Sequence, residues 1–409
     1  MRIILFILLS VCYSSIIKVP ADQPTIQAGI DAAVEGDIVV VYPGFYEENI
    51  LIDKTIILTS LALFDTTTNT VAESLDGWYG WEDGKYRVTD SLITTTIIDG
   101  STKDSSTVTI TGVDCIQPEI LGFTIQGGHG SLMDRFYVNP EGGTETVKQH
   151  LGGGILSYKS NPVVHYNKIQ DNGLTGDVET GAAIYAASDD EDCDFPLRRS
   201  KTATCTNDSY DFKHNFFENN KGIMGRHLAN RKFDGEFDLS GGVFDVWNCE
   251  NPEYQTKIWI SIDEIEDLIA ADYKSSSCLR SEDTYVDPEF GNDESNTGSI
   301  DSPFLTIGNA LATVAGSEDA TGTVHLAEGT YSPSTNGEIF PIEMISYVNL
   351  IGEGHNVTIL DAEASEAIHR RVITIEEAFG ITLANATFQN GVGRTYSSGI
   401  YILNSNVNI

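Results

Sequence analysis

Apolar residues along this chain come in short β-branched runs that alternate with polar positions, and Gly or Asn interrupts the runs at fixed offsets. That is a strand pattern with turn punctuation. Four segments share one frame: Gly122 to Gly127, Asn167 to Asn172, Asn215 to Asn220 and Asn385 to Asn390. A second frame opens at Gly154, Ala183 and Gly399, and twelve residues separate Ile155 from Asn167. Together the two frames make a coil of about twenty residues, the size of one solenoid repeat. In such coils Asn and Gly take turn positions with left-handed backbone. Asn at matching positions can also hydrogen-bond from coil to coil. Ile125, Ile155, Ile169, Ile184 and Phe217 are expected inside the stack, with Val163, Phe388 and Ile400 in comparable places. A β-sandwich with short strands is the competing arrangement, and the matched Asn spacing disfavours it.

A longer repeat is superimposed. Pro24 to Glu35 places Ile26, Ile30, Ala33 and Val34 on one helical face, and strand-like Ile38–Val41 follows. Ser302 to Val314 does the same with Phe304, Ile307, Leu311 and Val314, again before a strand. Each helix leads into Gly-x-Tyr (Gly44 to Tyr46, Gly329 to Tyr331) and then Ile-Ile-Asp or Ile-Leu-Asp. An open solenoid end exposes its core, so each helix reads as a cap over a first coil. Two caps predict two tandem solenoids, at 16–222 and 284–409, joined by a connector at 223–283 that does not fit the coil frame. The final coil opens at Gly399 and stops at Ile409, so further coils are expected beyond it.

Two excursions break the coil spacing. Ile125 to Ile155 spans 30 residues where Ile169 to Ile184 spans 15. The excess carries His129, Arg135, Tyr137, Lys148 and His150, the candidate ligand-binding groups, because loops on a rigid scaffold gather binding residues. The second excursion, 185–214, carries Cys193, Cys205 and the acidic residues Asp189, Asp190 and Asp192. Those three offer hard oxygens to calcium, although a solvated loop is the ordinary reading.

Charge and cysteines set the compartment. Sixty acidic residues against 24 basic ones give a net charge of −36 over 409 residues, which excludes a general nucleic-acid binder. Arg2, the apolar run Ile3 to Cys12, and Ser14–Ser15 form a signal-peptide pattern over 1–15. No later run is long enough for a transmembrane helix, so the chain is expected to be secreted or at the cell surface, in a bacterium. Oxidising conditions then permit two bridges, Cys193–Cys205 and Cys249–Cys278, with Cys115 a buried thiol.

At these repeats the chain resembles the right-handed parallel β-helix, or pectin-lyase-like, superfamily, over about 20–222 and 284–409. The stretch from Tyr285 to Leu311 is similar to an uncharacterised domain that opens many secreted bacterial β-helix proteins. The resemblance implies an all-β fold and leaves the activity open, since the superfamily holds lyases, hydrolases, esterases and non-catalytic members. Gly44 to Glu48 fits an element of pectin methylesterases, but that family's catalytic segments are missing. Gly128-His129-Gly130 resembles an element of polygalacturonases, without the paired carboxylates glycoside hydrolysis needs. The basic groupings at Arg198, Arg199 and Lys201, and at Arg226, His227, Arg231 and Lys232, read as solvated surface. No catalytic residue is therefore assigned. The expected function is an exported, non-catalytic protein contacting polysaccharide or another surface. A lyase or hydrolase for uronate glycans, and a structural or adhesin spacer, are the alternatives.

Overall fold

The computed structural model describes residues 14–138, 144–173, 178–187, 193–194, 209–231, 235–252, 254–262, 267–365, 369–393 and 398–409. It is mostly β, built from long parallel sheets. Three sheets share residues 16–278. The first runs Ile16–Val19, Ile38–Val41, Ile57–Ser60, Glu119–Leu121, Val163–His165, Ser209–Asp211, Glu236–Asp238, Leu268–Ile269. The second runs Gly44–Tyr46, Thr96–Asp99, Thr124–Gln126, Lys168–Gln170, Phe216–Glu218, Val243–Trp247, Lys274–Cys278. The third runs Ile50–Ile52, Val108–Ile116, Ile155–Ser160, Ile184–Ala187, Leu228–Arg231, Ile260–Ser261. The chain visits the sheets in turn and returns one strand further along, as parallel pairing without long crossovers requires. The arrangement is compatible with a parallel β-helix.

Three further sheets start at Thr284. One joins Thr284–Val286, Gly322–Leu326, Val348–Gly352, Ile381–Ala384 and Val407–Asn408. The others join Gly329–Tyr331, Thr358–Asp361 and Thr387–Gln389, and Ile342–Glu343, Ile373–Glu376 and Ile400–Leu403.

Inward positions form columns. Ile98, Ile125, Ile169, Phe217 and Phe244 follow one another in register on the second sheet, all fully buried. The column turns aromatic where Phe217 stacks on Phe244, centroids 5.2 Å apart and rings 2° from parallel. Ile155 and Ile184 are buried as expected. Val163 is not: Val164 is the fully buried residue, and Val163 faces outward. With a side-chain period of two, that one-residue slip moves the residue to the other face. Phe388 and Ile400 are only partly buried.

The asparagines form two buried ladders. Asn167 accepts from Phe123 N at 3.0 Å and donates to Ile120 O at 2.8 Å, and its own N–H donates to Asn215 Oδ1 at 3.0 Å. Asn172 likewise accepts from Gly128 N at 3.0 Å and donates to Asn220 Oδ1 at 2.9 Å. The left-handed residue is not the ladder Asn but the one before it: Tyr166, Asp171, His214 and Asn219, with φ of 52–58°. Asn385 and Asn390 do adopt left-handed backbone, φ 57° and 52°. One letter thus performs two jobs in the two regions.

Residues 223–283, expected as a connector, instead supply strands that continue all three sheets in parallel. Aromatic residues such as Phe237, Phe244 and Trp247 hid the coil frame because bulky side chains replace its Ile and Val. The structure pairs Cys249 with Cys278 here, Cα atoms 5.4 Å apart.

A short helix follows the first strand of each set of sheets. Ile26–Ala32 starts at Thr25, whose Oγ1 accepts from Ala28 N, and Ile307–Leu311 starts at Thr306, whose Oγ1 accepts from Asn309 N. Ile26, Ile30 and Ala33 are buried, but the helix ends before Val34, which is 63 % exposed. Phe304, Ile307, Leu311 and Val314 are all buried. A glutamate from the next coil meets each helix start: Glu48 accepts from Ile26 N and Gln27 N at 2.9 and 3.0 Å, Glu338 from Ile307 N and Gly308 N at 2.7 and 3.0 Å.

The excursion between Ser60 and Thr96 folds as two hairpins and the helix Ser91–Thr95. Its second hairpin, Tyr79–Glu82 with Lys85–Val88, lies along the outside of the second sheet. Trp78 packs with Leu121, Tyr166, Phe216 and Val243. Lys85 reaches Glu218 at 2.7 Å, and Tyr86 N donates to Ser276 Oγ at 3.1 Å.

Candidate binding cleft

The excursion at 127–153 is a β-hairpin, Ser131–Val138 against Thr144–Leu151. Its register pairs Leu132 with His150 and Asp134 with Lys148, while Arg135 pairs with Val147 and Tyr137 with Glu145. Arg135 and Tyr137 thus fall in one alternating set, Lys148 and His150 in the other. Met133 and Leu151 pack on Leu156, Tyr158 and Tyr185, so the hairpin covers the third sheet. Lys148 is exposed, His150 Nε2 lies 3.4 Å from Asp104 Oδ1, and His129 N donates to Ser105 O at 3.1 Å. Gly128 stands where a side chain would meet Gly153 O at 1.8 Å, so close backbone approach explains the glycine at this loop start.

Asp189, Asp190, Asp192 and Cys205 lie outside the described residues, as do Arg198, Arg199, Lys201 and Lys232 and the side chains of Cys115, Arg135, Tyr137, Cys193 and Arg231. Among the described residues, no three His, Cys, Asp or Glu are grouped to hold a metal ion. No described helix is long and apolar enough to cross a membrane.

The feature that sequence reasoning missed is a cleft of about 760 Å³ between the last coils of the first three sheets and the Ile307–Leu311 helix. It is of the size that holds small ligands. Of the residues expected as a solvated basic surface, Arg226 lines it. Arg226 lies over the Trp259 ring at 5.3 Å and donates to Gly308 O at 3.3 Å. Burial pushes its guanidinium below the ordinary value, against the pull of Asp245, Asp293 and Glu338. His227 behind it is 1 % exposed and stacks on Trp259 at 4.6 Å. Its Nε2 donates to Val246 O at 3.0 Å, which places the proton there, and burial holds the ring neutral by lowering its pKa.

The floor is the end of an outward row on the second sheet. Gln126 Nε2 donates to Asp99 Oδ2 at 2.7 Å and Gln170 Nε2 to Gln126 Oε1 at 2.9 Å, and Glu218 follows in register. Burial raises the Glu218 carboxyl, but Lys85 and Lys168, at 2.7 and 2.9 Å, more than offset that and hold it low. Asn219 ties the floor together, its N–H on Asp245 at 2.9 Å and its amide on Asp171 at 2.6 Å.

The opposite wall carries Asp293, which accepts from Leu305 N, Thr306 N and Thr306 Oγ1 at 2.7–3.1 Å, and Glu338. Burial pushes Glu338 up to about 7, helped by Asp293, in spite of its two helix amides. Glu343 completes this wall. Carboxylates outnumber cations around the cleft, and amides, one indole and several apolar side chains complete the lining. That set recognises hydroxyl and amine donors and repels anions.

Residues 290–360 match the family described as a protein of unknown function (DUF1565). No curated protein matches the chain. The matched segment runs from the loop before the Ile307–Leu311 helix into the strand Thr358–Asp361, so it includes the cleft's carboxylate wall.

Proposed function

We propose that this chain is an exported right-handed parallel β-helix protein that holds a glycan and leaves it intact. The reading takes 1–15 as a signal peptide and places the protein outside a bacterial cell or on its surface. It divides the rest into two tandem units near residue 283, each with its short helix capping the first coil. The match at 290–360 supports a β-helix start in the second unit.

One observation carries the functional part. The outward row Asp99, Gln126, Gln170, Glu218 runs along the stack and opens into the cleft. Its rungs repeat at about 4.8 Å, the strand spacing, so regularly placed amides face a ligand with regularly placed hydroxyls. The excess of carboxylates argues against the uronate alternative, because a polyanion would be repelled.

Retention on a panel of immobilised neutral, amine-bearing and uronate polysaccharides tests this reading. Retention on a neutral or amine-bearing glycan, lost in the Gln126→Ala/Gln170→Ala double variant, is expected. Depolymerisation of any panel member, or retention on uronates alone, would overturn it.

A further inference from the structure

We infer that the cleft seats the free amine of an amino sugar at Glu343. The inference rests on the glycan-binding reading and names its ligand class. Each of the other deeply placed carboxylates has a task. Glu338, 2 % exposed, is held by the amides of Ile307 and Gly308. Asp293 is held by Leu305 and Thr306, and Glu218 by two lysines.

Glu343 differs. It sits on Ile342–Glu343, lines the cleft and is 7 % exposed, yet among the described residues no donor lies within hydrogen-bond reach of its carboxylate. The charged groups around it are Glu376, Lys257 and Arg371. Lys257 is turned away, donating to Glu376 O at 3.0 Å and lying 3.8 Å from Glu377. Arg371 lies over the Tyr401 ring at 4.2 Å. A buried carboxylate with open acceptors is costly unless a donor arrives. A primary ammonium brings three donors and the opposite charge; a hydroxyl brings one donor and a uronate brings repulsion.

Burial, reinforced by Glu376, also raises the Glu343 carboxyl. An arriving ammonium reverses that balance, so binding should release the carboxyl proton to solvent.

The test uses the full chain and calorimetric titration with a glucosamine tetramer, its N-acetylated counterpart and a galacturonate tetramer. The glucosamine tetramer should bind about tenfold tighter than the acetylated one, the difference one charged contact supplies. Titrations near pH 5, where the sugar amines are already fully charged, in two buffers of different ionisation enthalpy should show proton release on binding. Glu343→Gln should remove the preference, so that both tetramers bind the variant alike. Equal binding of both tetramers, or no proton release, overturns the amine assignment and leaves the glycan reading standing. Retained preference in Glu343→Gln overturns the role of Glu343. Binding of neither tetramer overturns both ideas. If the variant does not fold, the buffer comparison on the unmodified chain decides.

Discussion

The surroundings of the two short helices, near Ile26 and near Ile307, are built from the same parts in different settings. Each has a threonine cap and a glutamate reaching back to the first helix amides. Each also has a tyrosine donating to the carbonyl four residues earlier: Tyr46 to Tyr42 at 2.8 Å, Tyr331 to Ala327 at 3.1 Å. Each is followed by an Asp–Gln rung, Asp99–Gln126 at 2.7 Å and Asp361–Gln389 at 2.8 Å. What differs is the cover. Glu48 remains half-open to water, whereas Glu338 is sealed by the cleft and the neighbouring coils. Sequence transmits the contact geometry; packing decides how strongly each contact responds to solvent conditions.

The sharpest way to break the comparison uses the asparagine ladders, which belong to the first sheets. Asn167→Ala should strand the amide of Phe123 and the carbonyl of Ile120, destabilising that region by about 4 kcal/mol. All four tryptophans lie before residue 260, so fluorescence in urea reports this loss selectively. An unchanged midpoint would mean that the ladder is only decorative.

Reduction comes next. No cysteine follows Cys278, so a reductant should act on the first region alone. Opening Cys249–Cys278, separated by 29 residues, removes a loop constraint of about 3 kcal/mol. Hydrogen exchange should accelerate in 243–278 and stay constant in 322–361.

Acidity should act the other way, on the second region. The folded pKa of Glu338, about 7, lies above its ordinary 4.5. Its contribution is therefore full below about pH 4.5 and fades as pH rises through about 7. The difference amounts to about 3 kcal/mol. Glu343 shifts in the same direction. Peptides of 307–343 should exchange faster at pH 8 than at pH 5, after correction for intrinsic rates, and Glu338→Gln should flatten that difference. The smallest effect is expected of Asn385→Ala, about 1 kcal/mol, because there the residue supplies only left-handed backbone. A loss as large as that of Asn167→Ala would reveal a second ladder.

Much of the stacking was legible in the sequence because turn positions are unforgiving. Gly122 and Gly127, and the Asn pairs at 167 and 172 and at 215 and 220, mark coil corners whatever the strands contain. Register within a strand was less secure: Val163 and Val164 are adjacent and equally apolar, so composition could not choose between them. The cleft was not legible. Arg226 meets Gly308, and Lys85 meets Glu218, across distances no local pattern spans. Arg226 and His227 also look like surface until Trp259 is placed over them. An acidic residue following Gly337 reads as a loop residue; only its partnership with the Ile307 and Gly308 amides shows what it does.

The hairpin strapped along the second sheet changes how such a stack should come apart. Coils that touch only their neighbours peel one at a time, each with its own small barrier. Here Lys85 holds Glu218, and Tyr86 holds Ser276, tying an early turn of the chain to one nearly two hundred residues later. Pulled from its end, such a stack should resist and then rupture in one large step, as a rope bound by a splice does, instead of unreeling turn by turn.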